Sequence, residues 1–164
     1  MSADGILKAL DDERRNGATF ESLLTSAVSR LHESHPKFHW TGIYELFPDE
    51  VLRLGPFIGS PTDHVFIAVG QGVCGTAVAE RRNINVPDVT KVANYLACST
   101  STKSELVVLI RQGDRIFGQI DIDSHEHDAF DHAAVLRVER VADWLAQVYA
   151  QHERAEMAHA RGKV

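Results

Sequence analysis

The chain is poor in cysteine, with 2 among its 164 residues. So few cysteines favour two thiols or a transient redox pair over a structural disulfide framework. The sequence also lacks any apolar run near the roughly 18 residues needed to span a bilayer. Its first residues lack the basic-then-apolar order of a signal peptide. We therefore expect a cytoplasmic protein that does not enter a membrane.

An excess of positive charge is also missing, because the net charge is −6 at pH 7. Nucleic acids and acidic membranes are usually bound by basic surfaces, so neither is an expected partner. We find no internal repeat and no low-complexity segment. Hydrophobic residues make up 44% of the chain, which is typical of a globular domain with a real core. The sequence therefore predicts one domain over residues 1–164.

Helices are predicted at both ends of the chain. A short helix covers residues 3–15, and a second, amphipathic helix starts from a Thr19 cap and is ended by Pro36. From about Phe130 the pattern is helical again, which predicts a C-terminal helix over residues 130–160. Its apolar residues step by four and three, as in a coiled-coil seam: Ala134, Val138, Val141, Leu145 and Val148.

The middle of the chain predicts strands separated by turns. A short helix over residues 73–82 follows a glycine-rich turn, and residues 88–103 form a long polar loop, a type of segment that often carries function. Antiparallel strands with helices at both ends of the chain define the α+β class. The predicted strands cover residues 38–47, 51–57, 64–69, 84–86, 105–110 and 115–123.

Both cysteines have two interpretations. Cys74 follows Gly70 and Gly72 at a predicted helix start, where backbone N–H groups favour a thiolate. Alternatively, Cys74 is a small buried residue between a helix and a strand. Cys98 lies in the long polar loop among serines and threonines, which suits an exposed, reactive thiol. Alternatively, Cys98 is a loop residue without a role, and the residues alone leave both questions open.

Three carboxylates lie at the ends of apolar strands: Glu105, Asp121 and Asp123. Asp121 and Asp123 are two residues apart, so they point to the same face of a strand. Neighbouring carboxylates raise one pKa, which allows a general acid, and once ionised they could hold an ammonium group. Alternatively, they are solvent-facing strand ends. Trp40 and Tyr44 also share a face, where they form either an aromatic wall for a ligand or part of the core.

A histidine-rich segment, residues 125–128 followed by His132, invites a metal interpretation. Its spacing matches no established ligand pattern, and a polar turn before the last helix explains the same residues. We therefore predict no metal site.

Several short segments occur in an order that closely resembles the free methionine-(R)-sulfoxide reductases, which are single-domain GAF proteins. The resemblance covers roughly residues 20–150. The cysteine-bearing and DIDS segments make it specific, because many GAF domains lack the cysteines. The segments are Trp40-Thr41-Gly42-Ile43-Tyr44, Leu54-Gly55-Pro56-Phe57, Gly70-Gln71-Gly72-Val73-Cys74-Gly75-Thr76-Ala77, Val86-Pro87-Asp88-Val89, Leu96-Ala97-Cys98, Ser104-Glu105-Leu106-Val107-Val108 and Asp121-Ile122-Asp123-Ser124.

The resemblance implies a GAF-like fold, with a six-stranded antiparallel sheet flanked by N- and C-terminal helices and a small-molecule pocket. It also implies roles. Cys98 matches the catalytic cysteine, and Cys74 matches a second cysteine that can pair with it. Glu105, Asp121 and Asp123 match carboxylates that serve both catalysis and substrate binding. Trp40 and Tyr44 match the aromatic residues that hold the methyl end of the substrate.

The activity implied by the resemblance is reduction of free L-methionine (R)-sulfoxide to methionine. Cys98 becomes a sulfenic acid, Cys74 condenses with it to a disulfide, and thioredoxin or another thiol reduces that disulfide. No bound cofactor is expected. The terminal helices favour a homodimer.

The chain departs from the family pattern at three positions. His64 stands where the family often has a third, resolving cysteine, Ser99 replaces an aspartate, and Lys103 replaces an asparagine. Direct attack by an external thiol on the oxidised Cys98 is therefore an alternative to resolution by Cys74. Two further alternatives remain open: a non-enzymatic GAF sensor of small ligands, and a redox switch that responds to peroxide.

Overall fold

The computed structural model describes residues 1–93, 95–96 and 101–162. These residues form four α-helices, six strands and one 3-10 turn. The helices are α1 (Ala3–Arg15), α2 (Phe20–Glu33), α3 (Gly72–Glu80) and α4 (His132–Arg161), and the 3-10 turn covers Val89–Lys91. The strands are β1 (Trp40–Leu46), β2 (Val51–Ile58), β3 (Phe66–Ala68), β4 (Ile84–Val86), β5 (Ser104–Gln112) and β6 (Arg115–Ser124).

The strands form one sheet in the order β3-β2-β1-β6-β5-β4, and every neighbouring pair is antiparallel. This confirms the predicted α+β class and the six-stranded antiparallel sheet. The β5–β6 hairpin places Glu105 opposite Asp123 and Val107 opposite Asp121. On the other side of β6, β1 places Trp40 opposite Asp123. The central strands therefore gather carboxylates and an aromatic residue that are far apart in sequence.

Helices α1, α2 and α4 pack together and cover one face of the sheet. Thr19 caps α2 as predicted, since its hydroxyl accepts a hydrogen bond of 3.1 Å from the Ser22 N–H. Helix α4 begins two residues later than predicted, where Asp131 caps it through the Ala134 N–H at 2.8 Å. The predicted α4 seam is buried, and it packs in one core with Ile43, Leu106, Val108, Ile110, Phe117, Ile120 and Ile122 from the sheet.

The opposite face of the sheet carries α3 and a second apolar cluster. Cys74, Val73 and Ala77 of α3 pack there against sheet residues that include Val107 and Leu109. Every residue of β6 from Ile116 to Ser124 is buried, so this strand is covered on both faces of the sheet. None of the helices in the described part of the chain is long and apolar enough to cross a bilayer.

Candidate functional site

Three chemically active side chains from three different elements meet on the α3 face of the sheet. The Cys74 thiol of α3 donates a weak hydrogen bond to Glu105 Oε1 of β5 over 3.8 Å. Cys74, Glu105 and Asp121 of β6 each bring one sulfur or carboxylate oxygen to within 4.8 Å of the others. They line a cavity of about 10 Å³, room for about one water molecule. The rest of its described wall is formed by His64, Ile67, Gly72, Val73 and Leu96.

The glycines around Cys74 explain how α3 reaches this position. Gly72, the first residue of α3, has a φ of +65°, and a Cβ there would lie 2.9 Å from the Leu96 side chain. At Gly75 a Cβ would lie 2.4 Å from the Ala68 carbonyl oxygen, so only glycine lets α3 approach the end of β3 this closely. The Gln119 side-chain amide of β6 donates a hydrogen bond of 2.9 Å to the Cys74 carbonyl. These contacts fix the first turn of α3 over the carboxylates.

All three predicted carboxylates are removed from water: Glu105 is 3% exposed, Asp121 0% and Asp123 1%. They are not the solvent-facing strand ends that the sequence also allowed. Burial raises the pKa of Glu105 well above its usual range, and the charges of Asp121 and Asp123 raise it further. Burial also raises the pKa of Asp121, while hydrogen bonds to Glu105 and Cys74 act in the opposite direction. A hydrogen bond between two carboxyl groups requires a proton, so the cluster holds at least one.

Trp40 and Tyr44 are buried on this same face, with ring centroids 6.3 Å apart. Neither is among the described residues that line the cavity. Trp40 Nε1 donates a hydrogen bond of 3.0 Å to the Ser60 carbonyl, and the Tyr44 hydroxyl donates one of 2.7 Å to the His64 carbonyl. The aromatic pair therefore fixes the loop that brings His64 to the cavity.

Cys98, the predicted nucleophile, and Ser99 lie outside the described residues. Lys103 is exposed beside the site, and its backbone N–H donates to the Ser124 carbonyl over 2.8 Å. His64, where the resembled family often has a cysteine, is half-buried in the cavity wall. Sequence reasoning missed the role of Gln119. Its spacing of two from Asp121 and four from Asp123 was the available signal, because alternate residues of a strand share a face.

The histidine-rich segment takes no part in the cysteine–carboxylate cluster. His125 stacks on His39 with ring centroids 4.2 Å apart, and His127 Nε2 lies 3.8 Å from Asp88. Among the described residues, the group with donor atoms close enough to share a metal ion is Cys74, Glu105 and Asp121. Within the described part of the chain, a shared metal ion would therefore fit at the cavity and not at the turn before α4.

The GAF domain model matches residues 20–149 of the chain. Fold and sequence agree, and the chain belongs to the GAF domain family.

Several more specific relatives of this chain are named as free methionine-R-sulfoxide reductases. The Escherichia coli free methionine-R-sulfoxide reductase is 38% identical over 106 residues, which are 65% of this chain and 63%, less than two thirds, of that protein. The structure of the type II free methionine-R-sulfoxide reductase from Thermoplasma acidophilum is 38% identical, with a TM-score of 0.75 over 79% of this chain and 91% of that one. The Neisseria meningitidis reductase, solved with its substrate, is 28% identical, with a TM-score of 0.83 over 93% of this chain and 89% of that one. Within the GAF family, the chain groups with the free methionine-R-sulfoxide reductases.

Proposed function

We propose that the chain reduces free L-methionine (R)-sulfoxide to methionine with electrons from thiols. The observation that carries this proposal is the buried contact of Cys74 with Glu105 and Asp121. Sulfoxide reduction needs a thiol pair and a proton donor at the departing oxygen, and this cluster supplies one thiol and a protonated carboxyl group. The relatives named as reductases of this substrate support the same assignment.

In the proposed reaction the Cys98 thiolate attacks the sulfoxide sulfur. A proton from the Glu105–Asp121–Asp123 cluster neutralises the oxygen as the S–O bond breaks. The oxygen passes to the Cys98 sulfur as the transient bond between the two sulfur atoms breaks, so methionine leaves and Cys98 becomes a sulfenic acid. The Cys74 thiol then condenses with this acid, which forms the disulfide and releases water. An external dithiol reduces the disulfide and is oxidised in turn, so two thiols are consumed for each sulfoxide reduced.

The carboxylates also suit the free amino acid as substrate. Its ammonium group is a cation, and no lysine or arginine is among the described residues of the cavity wall. The cavity must enlarge when the substrate binds, because its volume of about 10 Å³ is far too small for the sulfoxide. We propose that the Leu96 side chain, which rests on Gly72, is displaced when the substrate binds.

The test is NADPH oxidation coupled through thioredoxin reductase and thioredoxin, with the separate R and S epimers of free methionine sulfoxide. We expect turnover with the R epimer and none with the S epimer. Absence of turnover with both thioredoxin and a small external thiol would overturn the proposal. Ligand binding without turnover would point to a GAF sensor instead.

Two serine variants divide the reaction into its steps. Cys98→Ser should abolish reduction with every donor. Cys74→Ser should lower thioredoxin-driven turnover more than turnover with a small thiol, because a small thiol can attack the sulfenic acid directly. Equal turnover of Cys74→Ser and the unaltered protein with thioredoxin would exclude the disulfide step.

The electron donor, the homodimer, the cytoplasmic location and the extent of the single domain over residues 1–164 remain parts of this proposal. Thioredoxin is a dithiol that reduces disulfides by exchange, which suits a disulfide formed once per turnover, and a reducing compartment would keep both thiols reduced. Gel filtration of the full chain tests the dimer directly.

A further inference from the structure

We propose that Cys74, Glu105 and Asp121 form a binding site for a thiophilic divalent cation, with Zn²⁺ as the expected ion. The ion lies between these three side chains at the wall of the cavity, where it competes with the sulfoxide. Binding of the ion is independent of the proposed reductase activity, whereas its inhibitory effect rests on that activity.

The spacing of the donor atoms suits a tetrahedral zinc ion. With a Zn–S bond of about 2.3 Å and a Zn–O bond of about 2.0–2.2 Å, tetrahedral geometry puts sulfur and oxygen about 3.5 Å apart. The Cys74 Sγ atom lies 3.8 Å from Glu105 Oε1. An oxygen of Asp121 lies within 4.8 Å of both. Small side-chain rotations therefore suffice to close three ligands around one ion.

The donor types select the class of ion. A thiolate favours zinc and its heavier relatives, while magnesium and calcium prefer sites made entirely of oxygen ligands. The three ligands carry three negative charges when deprotonated, so a divalent ion offsets most of the charge that burial makes costly.

Asp121 gives a separate indication of a ligand. Its side chain is 0% exposed and lines the cavity, and both of its carboxylate oxygens are fully buried. Within the described residues, no backbone N–H, amide or basic side chain donates a hydrogen bond to either oxygen. A buried carboxylate ordinarily has such partners, whereas the described neighbours of Asp121 are Glu105 and Cys74, whose protons a cation bound by all three side chains would replace.

The fourth ligand is a water molecule. The cavity volume of about 10 Å³ is the space of about one water, and it lies against the three donors. Three protein ligands and one water are the usual coordination of an open zinc site. The backbone around Cys74 is already held by Gln119, so binding the ion requires little reorganisation of α3.

An ion held here would block the proposed reaction at two points. It would bind the Cys74 sulfur, which then could not condense with a sulfenic acid, and it would occupy the carboxylates that give the proton and hold the substrate. We expect zinc to inhibit thioredoxin-driven turnover and a chelator to restore it fully.

The experiment uses the reduced full-length chain without substrate. Cd²⁺ alone is titrated while the ultraviolet charge-transfer absorption of the cadmium–thiolate bond is recorded, and Zn²⁺ affinity is measured by competition with a chromophoric chelator. The cadmium band should be lost in Cys74→Ser and retained in Cys98→Ser. Zinc should bind Asp121→Asn at least tenfold more weakly, since losing even an outer-shell partner of a metal typically costs roughly 10–100-fold.

The matched control is Asp114→Asn, which removes an exposed carboxylate from the β5–β6 turn and should leave zinc affinity unchanged. A cadmium band that persists in Cys74→Ser, or equal zinc affinities of Asp121→Asn and Asp114→Asn, would overturn the inference. Turnover without metal binding would overturn this inference alone. Metal binding without turnover would overturn only the proposed reductase function.

Discussion

Strands β5 and β6 bury side chains on both faces of the sheet, and the two faces differ in chemistry. Toward α1, α2 and α4 the strands present Leu106, Ile120 and Ile122, each at most 1% exposed. Toward α3 they present Glu105 and Asp121, which are no more exposed than 3%. Residues adjacent in sequence are thus equally buried, but burial stabilises the aliphatic side chains and opposes ionisation of the carboxylates.

On the helical face, burial stabilises the fold by about 1.5–3 kcal/mol for each large aliphatic side chain. On the α3 face, burial opposes ionisation and raises the pKa values of Glu105 and Asp121. The sheet therefore separates two tasks: one face supplies stability, and the other uses that stability to keep reactive groups out of water. Substitutions on the two faces should consequently affect different measurements.

Among substitutions that compare the two faces of the sheet, the largest effect is expected for Glu105→Gln, which keeps the shape of the side chain and removes its acidic proton. Loss of a general acid typically lowers rates by about 10²–10⁴-fold, and we expect kcat/KM for the R-sulfoxide to fall in that range. The urea midpoint should not fall, because packing is retained. An unchanged kcat/KM would remove Glu105 from the reaction.

Ile120→Ala should show the opposite result. This substitution leaves a cavity in the helical core and should lower the free energy of unfolding by about 2–5 kcal/mol. Turnover per folded molecule should persist, because Ile120 faces away from the site. Urea denaturation of this variant beside the neighbouring Asp121→Asn compares the two faces directly. Equal losses of stability would contradict the division of tasks.

Gly72→Ala tests how closely the α3 face is packed. Alanine at a φ of +65° costs about 1–2 kcal/mol, and the added Cβ would also meet the Leu96 side chain at 2.9 Å. Gly113 is the matched control, because its φ is +58° and a Cβ there meets nothing within 4 Å. We expect Gly72→Ala to be the more destabilising of the two in urea denaturation. Equal losses of stability in the two alanine variants would show that the Leu96 side chain moves aside at no cost in free energy.

The smallest expected effect is a pH dependence of stability that arises from histidines at the edge of the helical face. Burial lowers the pKa of His32, and the nearby His39 lowers it further. The pKa of His39 is itself lowered, first by burial and then by the nearby His125. Glu33 beside His32 and Glu126 beside His39 act in the opposite direction. Both pKa values are lower in the folded chain than the value of 6.5 in the unfolded chain. As pH falls, the unfolded chain therefore takes up protons at a higher pH than the folded chain does.

The free energy of unfolding should therefore fall as pH decreases from about 6.5 through the lowered pKa values. Urea midpoints at pH 7.5 and 5.5 measure the difference. His39→Gln should reduce this difference, whereas His159→Gln, on the exposed end of α4, should not. If both variants behaved like the unaltered chain, the His39–His125 pair would have no part in the pH dependence.

Much of the fold could be predicted from local patterns. Apolar spacing along α4 and the Thr19 cap of α2 depend on residues within a few positions of each other, so periodicity reveals them. Strand alternation likewise put Asp121 and Asp123 on one face. Element ends were less predictable: α4 begins at the Asp131 cap, since a side-chain hydrogen bond and not hydrophobicity decides where a helix starts.

The sequence by itself determined the elements of this protein, the presence of two thiols and three carboxylates, and, through resemblance, the family. Only the tertiary structure decided that Cys74 contacts Glu105, 31 residues away, and that Asp121 is fully buried beside them. The reason is physical. Local patterns depend on neighbouring residues, whereas burial and the resulting pKa shifts depend on which strands pair and which helix covers them.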